Sequence, residues 1–261
     1  MRYVFAGDRD ISVHVLEFLI ERRYFPSALI VSEDSKATHA QDLIRISKMP
    51  KELIFKGQSF NESKNLNILK QISPHYIFGI HFPYLAKREV LDIPEIGFLN
   101  LHPAFLPYNR GWHTPSWAIL EKTKIGATLH FMSEQLDCGD IVHQKELEVF
   151  PSDTANTLYA RIKSLELDVF KEALEDLITL NPPRIAQDIY SGTSHKRQDL
   201  FDPAIQKINL QSFYKAEDLI NILRALTTNN IKEAAYFVKD GVKYHIQVKI
   251  NRANDKKKVF L

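Results

Sequence analysis

The chain has 261 residues, 44% of them hydrophobic and 25% charged, which suits one globular domain of ordinary size with a small appendage. The formal net charge is only +2, and this argues against a dedicated nucleic-acid binder, because such proteins carry a strong basic excess. The single cysteine, Cys138, excludes a disulfide framework within the chain and a cysteine-based metal site, and it fits a reducing compartment.

The N-terminal region does not predict a targeting segment. Its apolar run is short and ends at Gly7 and charged residues, whereas a signal peptide needs a longer apolar region and a cleavage site. No stretch approaches the length of a membrane span. We therefore expect a cytoplasmic protein with no membrane partner.

The first 180 residues alternate short apolar runs with helical patterns. Strands are predicted over Arg2–Ala6, Ser27–Val31, Leu53–Phe55, Tyr76–Ile80, Gly97–Leu101, Ile125–Met132 and Asp140–Phe150. Helices are predicted over Ile11–Glu21, His39–Lys48, Leu66–Ile72, Pro115–Lys122 and from a cap at Asp153 or Thr154 to about Leu180. This alternation predicts an α/β fold with a doubly wound, mostly parallel sheet.

The character of the sequence changes after this region. We expect a catalytic domain over 1–184, a polar linker over 185–204 and a small C-terminal region over 205–261. In that region Lys215–Thr227 predicts a helix. Ala235–Val238 and Val242–Ile250 flank a turn at Lys239–Gly241 and predict a hairpin. The basic tail, 251–258, is expected to fray.

The segment Phe98–Pro107 is the first with chemical content. Asn100 and His102 end a predicted strand, so their side chains lie on the same face at the edge where ligands bind in such sheets. An amide donor beside an imidazole suits acyl transfer, since the amide stabilises an oxyanion while the imidazole moves a proton. Taken alone, the pattern equally fits residues that only cap a strand end.

The second such segment is the polar loop Ser133–Asp140, between two predicted strands. It holds two aspartates, Asp137 and Asp140, and one of them could orient His102 and raise its pKa. An ordinary turn with solvated acids explains the isolated loop as well.

Together, Asn100–Pro107 and the later Leu136–Asp140 resemble the signature of the folate-dependent formyltransferases. The resemblance implies a Rossmann-like fold, N10-formyltetrahydrofolate as co-substrate, no metal, and the catalytic set Asn100, His102 and Asp137. Asp140 is the less favoured acid. The family includes enzymes that act on glycinamide ribonucleotide, on methionyl-tRNA and on nucleotide-linked sugars.

Within this family, Tyr108–Ile119 resembles the enzymes that formylate amino sugars linked to a nucleoside diphosphate, often dTDP-4-amino-4,6-dideoxyhexoses, for surface polysaccharides such as O-antigen. Substrate-binding roles are implied for Arg110, Gly111, Trp112, His113 and Thr114. An arginine suits a phosphate and an indole suits a sugar face, although Trp112 also fits a half-buried structural aromatic. Trp117, on the predicted helix, is expected in the core.

The resemblance also implies a folate pocket. Its walls would be the loop residues Phe82, Pro83, Tyr84 and Leu85 on one side, and Ser133, Gln135 and Asp137 on the other. The first turn lacks the GxGxxG pattern, so it gives no support for dinucleotide binding. Its helix N-terminus could still attract the substrate's pyrophosphate, and Asp8 and Arg9 are candidates there, although a plain turn explains it equally well.

The remaining candidates receive structural interpretations. Arg224 is expected on a helix surface. The C-terminal hairpin is expected to support a homodimer, since an exposed strand edge must be covered. No metal-ligand spacing links the other histidines, which we interpret as structural or solvated: His14, His39, His75, His130, His143, His195 and His245.

Three alternatives to amino-sugar formylation stay open. Methionyl-tRNA formylation would require a basic surface and a larger C-terminal domain. Hydrolysis of formyltetrahydrofolate uses a similar residue set but normally carries a separate regulatory domain. A binding protein that kept the folate and nucleotide-sugar pocket but lost turnover is the non-enzyme alternative.

Overall fold

Strands of buried apolar residues form the centre of the computed structural model, which describes residues 1–253. The strands are β1 (Tyr3–Gly7), β2 (Ala28–Val31), β3 (Ile54–Lys56), β4 (Tyr76–Ile80), β5 (Gly97–His102), β6 (Arg110–Gly111), β7 (Ile125–Phe131), β8 (Ile141–Leu147), β9 (Ser194–His195), β10 (Ala235–Lys239) and β11 (Val242–Ile246). The helices are α1 (Asp10–Glu21), α2 (Ala40–Ser47), α3 (Ser63–Ile72), α4 (Arg88–Leu91), α5 (Thr114–Glu121), α6 (Ala155–Ile178), α7 (Pro203–Gln206) and α8 (Ala216–Ala225).

The main sheet has the strand order β3-β2-β1-β4-β5-β7-β8. The first five strands in this order, β3, β2, β1, β4 and β5, are parallel to one another. Strand β7 runs antiparallel to β5 and forms a hairpin with β8. The predicted α/β fold with a mostly parallel sheet is therefore confirmed. The antiparallel pairing sets Asn100 directly opposite His130, and this register shapes the site described below.

Helices cover both faces of the sheet, which explains why the parallel strands are apolar throughout. Thr154 caps helix α6, and its side chain accepts a hydrogen bond from the backbone N–H of Thr157 in a capping box, so the second of the two predicted caps is the one used. Within the core, Phe170 of α6 packs edge-on against Phe78 of β4, with the ring centroids 5.4 Å apart. Burying a side chain of this size stabilises the fold by roughly 2–3 kcal/mol.

The segment 185–204, predicted as a linker, runs along the sheet domain and is paired with it. Its strand β9 lies parallel to β6, and the backbone N–H of Arg110 donates to the Thr193 carbonyl at 3.0 Å. The side chain of Trp117 is buried, as expected, and stacks on His195 at 3.8 Å between centroids. These contacts tie the substrate loop predicted at 108–119 to the segment that leads into the C-terminal region.

The C-terminal region contains α8 and the hairpin β10–β11, which agrees with the prediction although β11 ends at Ile246. The expectation of a solvated Arg224 was wrong. This side chain is buried, and it donates to the carbonyl oxygens of Asp153 and Phe150, each at 2.7 Å, in the turn that leads into α6. Residues 254–258 of the basic tail lie outside the described residues. Among residues 1–253 no helix is long and apolar enough to cross a membrane.

Candidate active site

Asn100 and His102 lie at the carboxyl end of β5, on the same face, as the period of a strand requires. His102 is buried and Asn100 is half-buried. The strand ends here because Pro103 follows and cannot donate to the ladder. Two polar groups are thus held on a rigid element at the sheet edge where ligands bind in open α/β folds.

Asp137 joins them from the loop between β7 and β8. It has a left-handed backbone with a φ of 53°, and its carboxylate is turned inward and buried. One oxygen, Oδ2, accepts from the backbone N–H of Gly111 at 3.0 Å and lies 3.6 Å from Nε2 of His102. The other, Oδ1, accepts from Nδ2 of Asn100 at 3.4 Å. The structure therefore brings together the three residues that the sequence singled out.

The proton on His102 can be placed from its neighbours. Both groups near Nε2 are acceptors, the Asp137 carboxylate and the Asn109 carbonyl oxygen, which lies 3.3 Å away. Nε2 therefore carries the proton in the neutral ring, and Nδ1 keeps a lone pair. In this tautomer the ring can accept a proton only at Nδ1.

The charges of this pair are set by burial and by each other. Burial lowers the pKa of His102 below its ordinary value, although the Asp137 carboxylate raises it in part. Burial alone would raise the pKa of Asp137, but the imidazoles of His102 and His130 and the N–H of Gly111 together lower it below its usual range. At neutral pH the site therefore holds a neutral imidazole beside an ionised carboxylate.

His130 is a fourth member of the site, and because it is buried, only the first of its two predicted interpretations, structural or solvated, fits. It is 1% exposed on β7, with Nε2 lying 3.3 Å from Nδ2 of Asn100 and 3.5 Å from Oδ1 of Asp137. The sequence signal was its position two residues before the end of a predicted strand, just ahead of the loop that carries Asp137. That signal becomes informative only once β7 is known to pair with β5.

Asp140 lies apart from this group. Its carboxylate faces Arg184 at 3.8 Å, on the exposed side of the hairpin. Within residues 1–253 no group of three or more histidine, cysteine, aspartate or glutamate side chains is placed to hold a metal ion.

In the first turn, Asp8 is buried and its carboxylate already accepts from the backbone N–H groups of Thr38 and His39, with distances from 2.9 to 3.2 Å. It holds the loop before α2 and has little capacity left for a ligand. Arg9, in contrast, is exposed, and no ion pair within residues 1–253 occupies its guanidinium. Of the two candidates in this turn, only Arg9 is available to an anion.

The loop at 110–114 contacts the loop of Asp137 through its first two residues. Gly111 adopts a φ of 92° that favours glycine, and this lets its N–H reach the carboxylate. Arg110 donates to Sγ of Cys138 and to the Ile189 carbonyl, at 3.2 and 3.1 Å, and its buried Nε has no partner in the described part of the chain. The Arg110 guanidinium therefore stabilises the loop that carries Asp137 and is not directed toward solvent.

The next three residues of this loop have different surroundings. Trp112 is 46% exposed, with the guanidinium of Arg197 5.3 Å from its ring centre, so one indole surface is open to a ligand. Nε2 of His113 lies 3.2 Å from the Arg197 carbonyl oxygen, and Nδ1 lies 3.9 Å from Glu233 of the C-terminal region. Thr114 is buried and donates to the Pro103 carbonyl at 2.6 Å.

The predicted folate walls lie on two separate loops. After β4, Phe82 packs between Phe60 and Tyr84, at 5.4 Å from each, whereas Leu85 is 79% exposed. Pro83 lies between them in the same loop. On the other loop, Ser133 and Gln135 line an open groove of about 490 Å³ that also includes Arg88, Phe98 and Cys138. The residues Phe82–Leu85 are not part of that groove.

Comparison with known proteins places this geometry in context. A family model described as formyl transferase matches residues 21–174, and a model described as the N-formyltransferase dimerization C-terminal domain matches residues 201–252. A methionyl-tRNA formyltransferase of Malacoplasma penetrans is 29% identical over 231 residues, which cover 87% of this chain and 71% of that protein.

Solved structures share the fold. A 4-N formyltransferase from Francisella tularensis matches with a TM-score of 0.80 and 24% identity, covering 96% of this chain and 98% of that one. An N-formyltransferase from Helicobacter canadensis, in complex with folinic acid and dTDP-3-aminofucose, matches with a TM-score of 0.68 and 21% identity, covering 93% and 86%.

Proposed function

Since the chain belongs to the formyl transferase family and is an N-formyltransferase, we propose that it formylates the amine of a nucleoside-diphosphate-linked amino sugar. The donor is N10-formyltetrahydrofolate, and the preferred acceptor is a dTDP-4-amino-4,6-dideoxyhexose. The observation that carries the proposal is the convergence of Asn100, His102 and Asp137 at the end of β5. The N-formylated sugar is used for surface polysaccharide synthesis, and the enzyme makes it in the cytoplasm.

The choice of an amino sugar as acceptor is supported by similarity to N-formyltransferases over nearly the full length of the chain. The C-terminal region is a short helix and hairpin that matches the N-formyltransferase dimerization model, and the fold extends over nearly all of two N-formyltransferases with sugar or 4-N specificity in their descriptions. The same region supports a homodimer, with the exposed apolar side chains on one face of the hairpin, Val242 and Tyr244, at the interface.

In the reaction the neutral sugar amine attacks the formyl carbon on N10 of the folate. The bond from the carbon to N10 breaks, the new amide bond forms, and a proton passes from the amine to N10. Asn100 donates its amide N–H to the oxyanion of the tetrahedral intermediate, a contact that contributes roughly 3 kcal/mol to the barrier reduction. Its present hydrogen bonds, at 3.3 and 3.4 Å, are long enough to yield to a stronger acceptor.

His102 takes the amine proton and returns it to the leaving nitrogen. Its depressed pKa keeps the ring neutral at physiological pH, and Nδ1 holds the lone pair that accepts the proton. Asp137 then stabilises the imidazolium that forms, across the 3.6 Å to Nε2. The backbone N–H of Gly111 holds the Asp137 carboxylate in place, so no conformational entropy is lost in ordering this side chain during the reaction.

The substrate contacts are inferred from the side chains of these loops that are exposed and free to bind a ligand. Arg9, at the start of α1, receives the pyrophosphate together with the helix N-terminus, and Trp112 receives the sugar face. Asp8, Arg110, His113 and Thr114 contribute by positioning these loops, since most of their polar side-chain atoms are already engaged within the protein. The folate lies against Phe82–Leu85 and the facing loop with Ser133 and Gln135.

Methionyl-tRNA formylation is the second candidate, because the curated relative with 29% identity carries that name. The test is a direct comparison of acceptors. The protein is incubated with N10-formyltetrahydrofolate and either dTDP-linked amino sugars, with the amine at C3 or C4, or charged initiator tRNA, and release of tetrahydrofolate is followed. Turnover with an amino sugar supports the proposal, and turnover with the tRNA alone contradicts it.

A further inference from the structure

A second histidine–carboxylate pair lies buried at the end of β4, outside the set of residues used above. Nε2 of His81 lies 2.7 Å from Oε1 of Glu166 on α6, and the two side chains are 8% and 0% exposed. The other carboxylate oxygen, Oε2, is buried and has no hydrogen-bond partner in the described part of the chain. Burying an acid with one oxygen unpaired is costly, so the pair calls for an explanation.

The backbone of His81 is unusual as well. It adopts a left-handed conformation, with a φ of 49°, directly after Ile80 ends β4. A residue other than glycine holds such a conformation only when its surroundings fix it. Here the imidazole is fixed by Glu166 on one nitrogen and approached on the other by the hydroxyl of Tyr159, which lies 3.4 Å from Nδ1.

The Tyr159 hydroxyl acts as a donor in this arrangement. Burial raises its pKa, and the Glu166 charge raises it further, so the hydroxyl stays protonated and offers its hydrogen to Nδ1. The ring of Tyr159 also stacks on the imidazole, with 6.4 Å between centroids and 20° between planes. Helix α6 thus supplies three contacts that set the orientation of one side chain.

The chain that leaves His81 is the loop with Phe82–Leu85. Its middle is held by packing of Phe82 on Phe60 and by the hydroxyl of Tyr84, which accepts from the backbone N–H of Glu33 at 3.2 Å. The direction in which the loop departs from the sheet is set at residue 81. A rotation there would displace the whole loop relative to Asn100 on the adjacent strand.

We propose that Glu166 and His81 form a positioning pair that fixes the loop Phe82–Leu85 and thereby sets the affinity for the folate donor. The inference rests on the proposed function in assigning this loop to the folate. Neither residue contacts the reacting atoms. Their effect is therefore on donor binding, and the KM for the amino sugar is unaffected.

The test measures folinic acid binding by calorimetry, which needs no acceptor substrate. His81→Asn removes the imidazole while keeping a residue that tolerates positive φ, and His81→Gly repeats the test with a freer backbone. Glu166→Ala removes the carboxylate. We expect each variant to weaken folinic acid binding about tenfold, since small displacements of positioning groups have effects of this size or larger. Removing one partner of a buried pair also lowers the melting temperature, so each titration is run at a temperature at which circular dichroism shows the variant folded.

Two further variants separate positioning from simple loss of packing. Glu166→Gln keeps an oxygen that accepts from Nε2 and should restore near wild-type affinity. The double variant His81→Asn with Glu166→Ala should bind no more weakly than either single variant, because both act through one contact. The control is His143→Asn. It breaks an exposed pair in which Nε2 of His143 lies 3.0 Å from Oε2 of Glu172 on α6, the helix that also carries Glu166, and it should leave folinic acid binding unchanged.

Unchanged folinic acid affinity in His81→Asn and His81→Gly would overturn the inference. So would additive losses in the double variant, or a rise in the KM for the amino sugar equal to the rise for the folate. A wild-type protein that binds folinic acid but formylates no amino sugar contradicts the proposed acceptor alone and leaves this titration valid. A wild-type protein that does not bind folinic acid contradicts both.

Discussion

The amide nitrogen of Asn100 lies 3.3 Å from Nε2 of His130, across the antiparallel pair β5 and β7. Nδ1 of His130 lies 2.8 Å from the Phe131 carbonyl, which only accepts, so Nδ1 carries the proton and Nε2 accepts from Asn100 when the ring is neutral. This contact defines which end of the Asn100 side chain is the nitrogen. The donor for the oxyanion is therefore oriented before substrate arrives.

Replacing His130 with phenylalanine keeps a ring of similar size but removes this acceptor. We expect kcat to fall about tenfold with little change in either KM, because the amide becomes free to rotate away from the oxyanion position. Steady-state kinetics on both substrates measure this. His143→Phe on the next strand is the control, since His143 faces Glu172 at the surface. An unchanged kcat in His130→Phe would remove His130 from the site.

Loss of the proposed oxyanion donor or base has larger effects. Asn100→Ala and His102→Ala should each lower kcat by about a hundredfold or more, the usual cost of removing a preorganised group of this kind. Folinic acid binding should persist in both variants, which shows that the fold and donor site remain. Near-normal turnover in both would refute the assigned roles.

The depressed pKa of His102 predicts the pH profile. The ring must be neutral to accept the proton, so kcat at saturating amino sugar should rise with pH through the pKa of His102, and the midpoint should lie below the ordinary histidine value of about 6.5. The Asp137 charge raises that pKa, so Asp137→Asn should move the acidic limb to still lower pH while lowering the maximal rate. A limb at or above the ordinary value, or a shift in the opposite direction, would contradict this assignment.

Arg224 should be important for stability. Its guanidinium donates to the carbonyls of Phe150 and Asp153, and truncation leaves both without this donor. Arg224→Ala should lower the free energy of unfolding by roughly 2–4 kcal/mol, measured by urea denaturation. Arg45→Ala, which breaks an exposed helix pair with Asp42, should cost less than about 1 kcal/mol. Equal losses in the two variants would argue against a special role for Arg224.

The hairpin should control assembly. Val242 and Tyr244 are 51% and 47% exposed on β11, and a glutamate at both positions would place charges in the proposed dimer interface. Light scattering on the eluted protein should then report a monomer, whereas Lys243→Glu, on the opposite face of β11, should remain dimeric. A double variant that is still dimeric would place the interface elsewhere.

The elements predicted from sequence were those with a strong periodic signal. Strands such as β1 and β4 are buried on both faces, so an uninterrupted apolar run identifies them without knowledge of their neighbours. Asn100 and His102 were predictable because the period of a strand puts them on one face. Asp137 required the family resemblance, since nothing in an isolated polar loop indicates that its acid turns inward.

The missed features depend on contacts between distant parts of the chain. His130 enters the site only through the register of β5 with β7, and periodicity within one strand does not contain that register. Asp8 was a reasonable ligand candidate, but its carboxylate meets Thr38 and His39, which are about 30 residues further along. Arg224 has helical spacing typical of a surface position, and its burial follows from how α8 docks near the start of α6.

The central claim is transfer of a formyl group to a sugar amine by the group centred on Asn100 and His102. The most direct measurement is mass spectrometry of a dTDP-linked 4-amino-4,6-dideoxyhexose after incubation with N10-formyltetrahydrofolate and either the wild-type protein or Asn100→Ala. The account predicts a sugar heavier by one formyl group in the wild-type reaction, with almost none formed by the variant in the same time. An unmodified sugar in both reactions, or equal formylation in both, would contradict it.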